Sequence, residues 1–169
     1  MDDEGEFGKG ESELRHEAGP EGGIVVGVDG SPSSISALGW ALDEAERTGA
    51  VVRAVTAWEV PTNWGKPVPV YPGDHLEAEA GERLARIVGE ATAGRPTLQV
   101  TQAVVKGHPA RVLLDQARRA DLLVVGQRGL GGFSGTLVGS VSQKCLHHAT
   151  CPVLVVPAEG TDDRIMAGT

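Results

Sequence analysis

The 169-residue chain is 40% hydrophobic but only 4% aromatic, enough for one domain whose core is built from Val, Leu, Ile and Ala. A net charge of −8, with no basic stripe interleaved with aromatics, argues against nucleic acid as a partner. No run approaches the roughly 18 apolar residues of a membrane span, and two cysteines give no disulfide framework.

Residues 1–23 hold eight acidic side chains against Lys9 and Arg15, so six of the eight net negative charges reside there. That stretch is rich in Gly and Glu, too poor in apolar groups to offset its ordering entropy, and carries no secretory signal. The composition predicts a disordered acidic tail over residues 1–22, a domain over 23–157 and a loose C-terminal tail over 158–169. Cys145 and Cys151 as free thiols suit a reducing compartment, and the domain is expected in the cytoplasm.

Ile24–Val28 is short, apolar and β-branched, which predicts a buried strand. Asp29-Gly30-Ser31-Pro32 follows, with Ser31 placed to cap a helix and Pro32 suited to its first turn. Ile35, Leu38, Ala41, Leu42 and Ala45 recur at helical spacing until Gly49. Val51–Trp58 predicts a second strand. Glu59–Gly73, with Pro61, Pro67, Pro69 and Pro72, predicts a long irregular loop. Trp58, Trp64 and Tyr71 flank it, either as a lid over a ligand or, more simply, to pin the loop. Leu76, Ala80, Leu84, Ile87, Val88 and Ala91 stripe a second helix, closed near Gly94-Arg95-Pro96. Leu98–Val105 predicts a third strand, His108–Ala120 a third helix and Asp121–Gly126 a fourth, buried strand. After a Gly-rich loop, Ser140–Ala149 predicts a short helix and Val153–Val156 a fifth strand. Asp43, Glu44 and Glu46, and Glu77, Glu79, Glu82, Arg83 and Arg86, are expected on solvated helix faces.

Strands alternating with helices imply βαβ units, hence a doubly wound α/β domain with a five-stranded, mostly parallel sheet. Ligands in such sheets sit beyond the carboxyl ends of the strands, where strand order reverses. If the first and fourth strands are neighbours, the loops Asp29–Ser31 and Gly126–Ser140 meet at one crevice.

The second of these loops reads GQRGLGGFSGTLVGS. Glycine serves where φ is positive or where backbone approaches another group closely. Between a strand and a helix start, such a loop can turn N–H groups inward as an anion nest, helped by the helix dipole. Ser140 and Ser142 could add hydroxyl donors and Arg128 a cation. The plainer alternative is a surface turn, or glycines that merely permit close packing. The loop lacks the Gly-Lys-Ser/Thr ending of a Walker A motif, and no GxGxxG follows the first strand.

The spacing Gly126-x2-Gly129-x9-Gly139-Ser140 resembles the ATP-binding signature of universal stress proteins. So do Ile24–Ser31, Gly107-His108-Pro109, and His148–Pro157. The resemblance covers about Gly23–Pro157 and implies an adenine nucleotide alpha hydrolase-like sheet of order 3-2-1-4-5. It further implies that Asp29 lies against adenosine, with Gly27 and Val28 nearby, and that main chain at Ala57 touches adenine. Gly126, Arg128 and Gly129 would wrap ribose and the first phosphates. Gly139, Ser140, Val141 and Ser142 would hold the remaining phosphates, with Mg as a possible companion of ATP. It implies a homodimer through Val153–Val156, with the nucleotide regulatory or slowly hydrolysed in a stress response.

Rival readings remain open. A nucleotide-free protein-interaction module would use the same fold. An ATP pyrophosphatase or adenylating ligase would want a Ser-Gly-Gly-x-Asp-Ser loop, which Val28–Pro32 matches poorly, and no general base stands out. A hydrolase triad lacks its G-x-S-x-G elbow. Cys145, His147, His148 and Cys151 could ligate a metal by type, but helix and strand geometry is expected to separate them.

Overall fold

The computed structural model describes residues 21–63, 66–67, 73–131 and 137–159. In chain order the elements are β1 (Ile24–Gly27), α1 (Pro32–Thr48), β2 (Val52–Trp58), β3 (Thr62–Asn63), β4 (Lys66–Pro67), α2 (Gly73–Thr92), β5 (Val100–Lys106), α3 (Pro109–Gln116), β6 (Leu122–Gly126), α4 (Ser140–His148) and β7 (Val153–Val156). Five parallel strands form one sheet in the order β5-β2-β1-β6-β7, the 3-2-1-4-5 arrangement that the resemblance implies.

Strand alternation divides the core. Ile24, Val26 and Val28 point to one face, where α1 and α2 cover them with Leu38, Leu42, Leu84 and Ile87. Val25 points to the other, with Val112, Leu113, Leu123 and Cys145 beneath α3 and α4. Leu38 and Leu42 are fully buried, each contributing about 1.5–3 kcal/mol of transfer free energy.

Local chemistry sets the ends of α1. The Ser31 hydroxyl accepts from Ser34 N–H at 3.3 Å, Pro32 opens the first turn, and Gly49 closes the helix at φ 75°. Ile35, expected in the apolar stripe, is instead 47% exposed and Ala37 takes the buried position. The stripe is rotated because α1 also packs its first turn, including the buried Ser33 and Ser34, against β6.

Other boundaries moved. The stretch expected to be wholly irregular contains a two-residue antiparallel ladder, Thr62↔Pro67 and Asn63↔Lys66. Pro67 takes part at its edge, where no ladder N–H is needed. Helix α2 begins at Gly73, before Leu76, and α3 ends at Gln116 rather than Ala120. Gln116 is buried because Arg53 Nε donates to its Oε1 at 2.7 Å. The charged face of α1 does more than meet solvent: Arg95 bridges to Asp43 at 2.7 Å and Glu46 at 3.4 Å, and Arg47 pairs with Glu44. Arg86 pairs with Glu90 on α2. The expected acidic tail (1–22, apart from Glu21 and Gly22) and residues 160–169 lie outside the described residues, as do Trp64 and Tyr71.

No described helix is long and apolar enough to cross a membrane. Cys145 is buried in the core, and that burial, with Cys151 nearby, pushes its thiol pKa up to about 11. Since the thiolate is the nucleophile, under roughly one Cys145 in a hundred is reactive at pH 8. Iodoacetamide on the native protein is therefore expected to modify half-buried Cys151 first. Cys145 should stay unmodified until denaturant is added, a difference read by peptide mass spectrometry.

Candidate nucleotide-binding cleft

Strands β1 and β6 lie side by side in register, Ile24↔Leu122 to Val26↔Val124, and end together at Gly27 and Gly126. Their following loops therefore face each other at the point where strand order reverses. A cleft opens there. Its lining includes Gly27, Val28, Asp29, Ala57, Gly126, Arg128, Gly129, Val141 and Ser142 among the residues singled out from sequence. Gly139 and Ser140 are not among its lining residues; they stand at the start of α4, next in sequence to Val141, which is. Val55, Leu113 and Val125 supply an apolar floor and Pro109 a wall, none of which sequence reasoning had assigned to the site. Their signal was only that of core residues, because the floor of the cleft is the end of the core.

The first turn of α1 fastens the second loop. The hydroxyls of Ser31 and Ser33 both donate to the Arg128 carbonyl, at 3.2 and 2.5 Å, and Arg128 N–H donates back to Ser33 Oγ at 3.2 Å. Asp29 Oδ1 accepts from Ser31 N–H at 2.9 Å, and Asp29 N–H donates to Ser34 Oγ at 3.3 Å. These bonds fix the Asp29 carboxylate at the mouth of the cleft, where it is the only carboxylate among the described lining residues. The run Ser31-Pro32-Ser33-Ser34 was legible as a helix cap, but its grip on Arg128 was not, because the partner lies 95 residues away.

Gly126 and Gly129 serve by close approach rather than by left-handed backbone. Positive φ occurs at Gly22, Gly23, Gly30, Gly49, Gly94 and Gly107 among the described residues, not at Gly126, Gly129 or Gly139. A Cβ on Gly126 would stand 2.5 Å from Ser33 Oγ and 2.7 Å from Ser33 C and Ser34 N. A Cβ on Gly129 would meet Asp29 Oδ2 at 2.9 Å. The packing alternative thus accounts for Gly126 on its own.

The expected cradle of free loop amides also needs correcting. Gly139 N–H donates to the Gln127 carbonyl at 2.7 Å, and Gln127 N–H to the Val156 carbonyl at 2.7 Å. The Ser142 hydroxyl is not an open donor: it is buried and donates to the Gly126 carbonyl at 2.6 Å. Gly132–Thr136 lie outside the described residues. What stays available is the helix end. Gly139 offers α4 no side-chain cap, and the first intrahelical bond is Gln143 N–H to Gly139 O at 2.9 Å. The N–H groups of Ser140, Val141 and Ser142 therefore precede the ladder and point out of the helix beside the cleft.

An apolar floor, a carboxylate at the mouth and an uncapped helix N-terminus make a site for a flat ring joined to an anion. The model of the family described as "Universal stress protein family" matches residues 23–157. The chain belongs to the universal stress protein family. A universal stress protein of Mycolicibacterium smegmatis is 39% identical over 137 residues, which is 79% of this chain and 45% of that protein. The chain thus spans less than half the length of the curated relatives it matches. A solved universal stress protein, described as in complex with cAMP, is 29% identical, with a TM-score of 0.53, covering 83% of this chain and 99% of that one. The hypothetical protein MJ0577 is 19% identical with a TM-score of 0.65, covering 79% of this chain and 94% of that one, and shares the fold.

Elsewhere on this universal stress protein chain, Trp58 ends β2 beside Ala57, with Lys106 Nζ 5.4 Å from its ring centroid. Its indole Nε1 is buried and has no hydrogen-bond partner among the described residues. Cys145 faces the core, while His147 and His148 are exposed and Cys151 precedes β7. No group of three or more His, Cys, Asp or Glu placed to hold a metal occurs among the described residues.

Proposed function

We propose that this universal stress protein binds ATP in the cleft between β1 and β6, as a regulatory or slowly hydrolysed ligand in a cytoplasmic stress response. The observation that carries this is the uncapped N-terminus of α4 opening beside an apolar floor. Adenine would lie over Val55 and Leu113 toward main chain at Ala57, with adenosine against Asp29, Gly27 and Val28. Ribose and the first phosphates would fall near Gly126, Arg128 and Gly129, and the remaining phosphates at Ser140, Val141 and Ser142. Gly139 serves by shaping that corner, since its own amide is taken. A Mg ion would arrive with the phosphates. The cAMP described in the 29%-identical solved relative supports an adenine nucleotide. Slow turnover is in keeping with a cleft whose one described carboxylate is engaged with Ser31 N–H.

The half-exposed run Val153–Val156 forms an edge of the sheet, which supports pairing with a second copy there. One observation favours a nucleotide-free interaction module instead: the N–H of Gly139 and the hydroxyl of Ser142 are already bonded to protein carbonyls. Calorimetric titration with ATP, ADP, AMP, cAMP and adenosine decides between them. ATP is expected to bind more tightly than adenosine, with light scattering reading the dimer in the same sample. Absence of heat for any nucleotide at millimolar concentration would transfer the assignment to the interaction module.

A further inference from the structure

A second groove lies between α3 and α4, on the face of the sheet away from α1 and α2. Its lining carries His108, Arg111, Asp115, Arg118, Lys144 and His148. Asp115 is shared between the two arginines, 4.0 Å from Arg111 Nε and 3.5 Å from Arg118 Nε. With histidines neutral, three cations face one acid, in a chain whose net charge is −8. Arg111 and Arg118 are 86% and 72% exposed at their side chains, and Lys144 is exposed, with no ion pair among the described residues. The groove is therefore a local reversal of the molecule's sign, and nothing in the nucleotide reading uses it.

One end of this groove meets the place where the acidic segment joins the domain. Gly22 N–H donates to the Arg119 carbonyl at 2.7 Å, and Arg119 Nη1 pairs with Glu21 at 2.8 Å. Next to it, the Thr150 hydroxyl, on the groove wall, donates to the Arg118 carbonyl at 3.4 Å. The segment that precedes Glu21 holds seven acids (Asp2, Asp3, Glu4, Glu6, Glu11, Glu13, Glu17) against Lys9 and Arg15. Helix α3 has eight residues, so it extends about 12 Å. Four residues of extended chain, from Glu21 back to Glu17, already span about 13 Å. Tethered this way, the segment meets the groove at an effective concentration in the millimolar range.

We propose that the acidic residues preceding Glu21 dock in cis into the basic groove between α3 and α4, with Glu11, Glu13 and Glu17 against Arg118, Arg111 and Lys144. Each exposed pair is individually weak, so docking depends on several at once and gives way to salt. The occupant is the chain's own segment because charge, reach and point of attachment agree on it.

Lys144 is the one lysine lining the groove among the described residues, which makes it a specific reporter. The full-length protein is treated with a carbodiimide that joins carboxylates to amines without a spacer, in about 20 mM and about 0.5 M salt. The expected product has the mass of a single chain, with Lys144 joined to Glu11, Glu13 or Glu17, and falls at least fivefold at high salt. Mixing isotopically light and heavy protein separates links within a chain from links between copies. Links between copies, links indifferent to salt, or Lys144 joined to no residue before Glu21 would each overturn the proposal. As a second measurement, Glu11→Gln, Glu13→Gln and Glu17→Gln are combined, leaving the 23–157 domain untouched. Amide resonances of residues 108–118 and 144–150 are expected to shift, and an unchanged spectrum there would also overturn it.

Discussion

Alanine at position 126 is expected to destabilise the whole domain, not merely weaken a ligand. The added methyl would stand 2.7 Å from two backbone atoms of α1, Ser33 C and Ser34 N, and 2.5 Å from Ser33 Oγ. Backbone cannot rotate aside as a long side chain can. Either α1 retreats from β6 or β6 bends, and both loosen a core that contains Leu38 and Leu42. Overpacking of this kind costs about 1–3 kcal/mol and sometimes more, a fall in Tm on the order of 10 °C for a domain of this size. Gly139→Ala is the contrast. Its Cβ finds nothing nearer than 3.4 Å and its φ is −68°, so its melting curve should stay close to wild type. Thermal denaturation followed by circular dichroism reads both. Equal melting temperatures for the two variants would mean that β6 and α1 are less tightly joined than described.

Ser140→Asp is expected to separate helix stability from phosphate binding. Ser140 is exposed and is the first residue of α4, so a carboxylate there adds a charge that the helix dipole favours. The variant should melt at or slightly above the wild-type temperature. The same carboxylate would stand where a phosphate is proposed to sit, and two like charges a few ångströms apart repel. Affinity for ATP should fall roughly ten- to a hundredfold, AMP by less and adenosine hardly at all. Calorimetry on the three ligands checks the gradient. An unchanged ATP affinity beside a normal melting curve would remove the α4 terminus from the site.

The sheet was legible because most of its parallel strands are short β-branched runs bounded by glycine, proline or a polar turn, and each long helix shows its period. Val153–Val156 and Leu122–Gly126 could hardly be anything else. Ile35 was misread because periodicity reports an apolar stripe but not how far tertiary contact rotates it. Most of the cleft's rim was legible through glycine spacing, yet the reason for those glycines was not. Gly126 reads in sequence as freedom of backbone, and in three dimensions it is a contact with a helix more than ninety residues earlier. Long-range partners such as Ser33 with Arg128, or Arg53 with Gln116, leave no periodic trace. The floor at Val55 and Leu113 was hidden for another reason: a side chain on the rim of a core and one beneath a ligand have the same composition.

The bare end of α4 has a consequence for the helix itself. Nine residues make barely two and a half turns, too short to hold together in water without outside help. Cys145 anchors its inner side, while Lys144 and His148 project outward toward α3. An anion arriving at Ser140 would act as the missing capping group, slowing fraying from that terminus. Occupancy at the mouth of the sheet would then register, one and two turns away, as stiffness in the wall that carries Lys144 and His148.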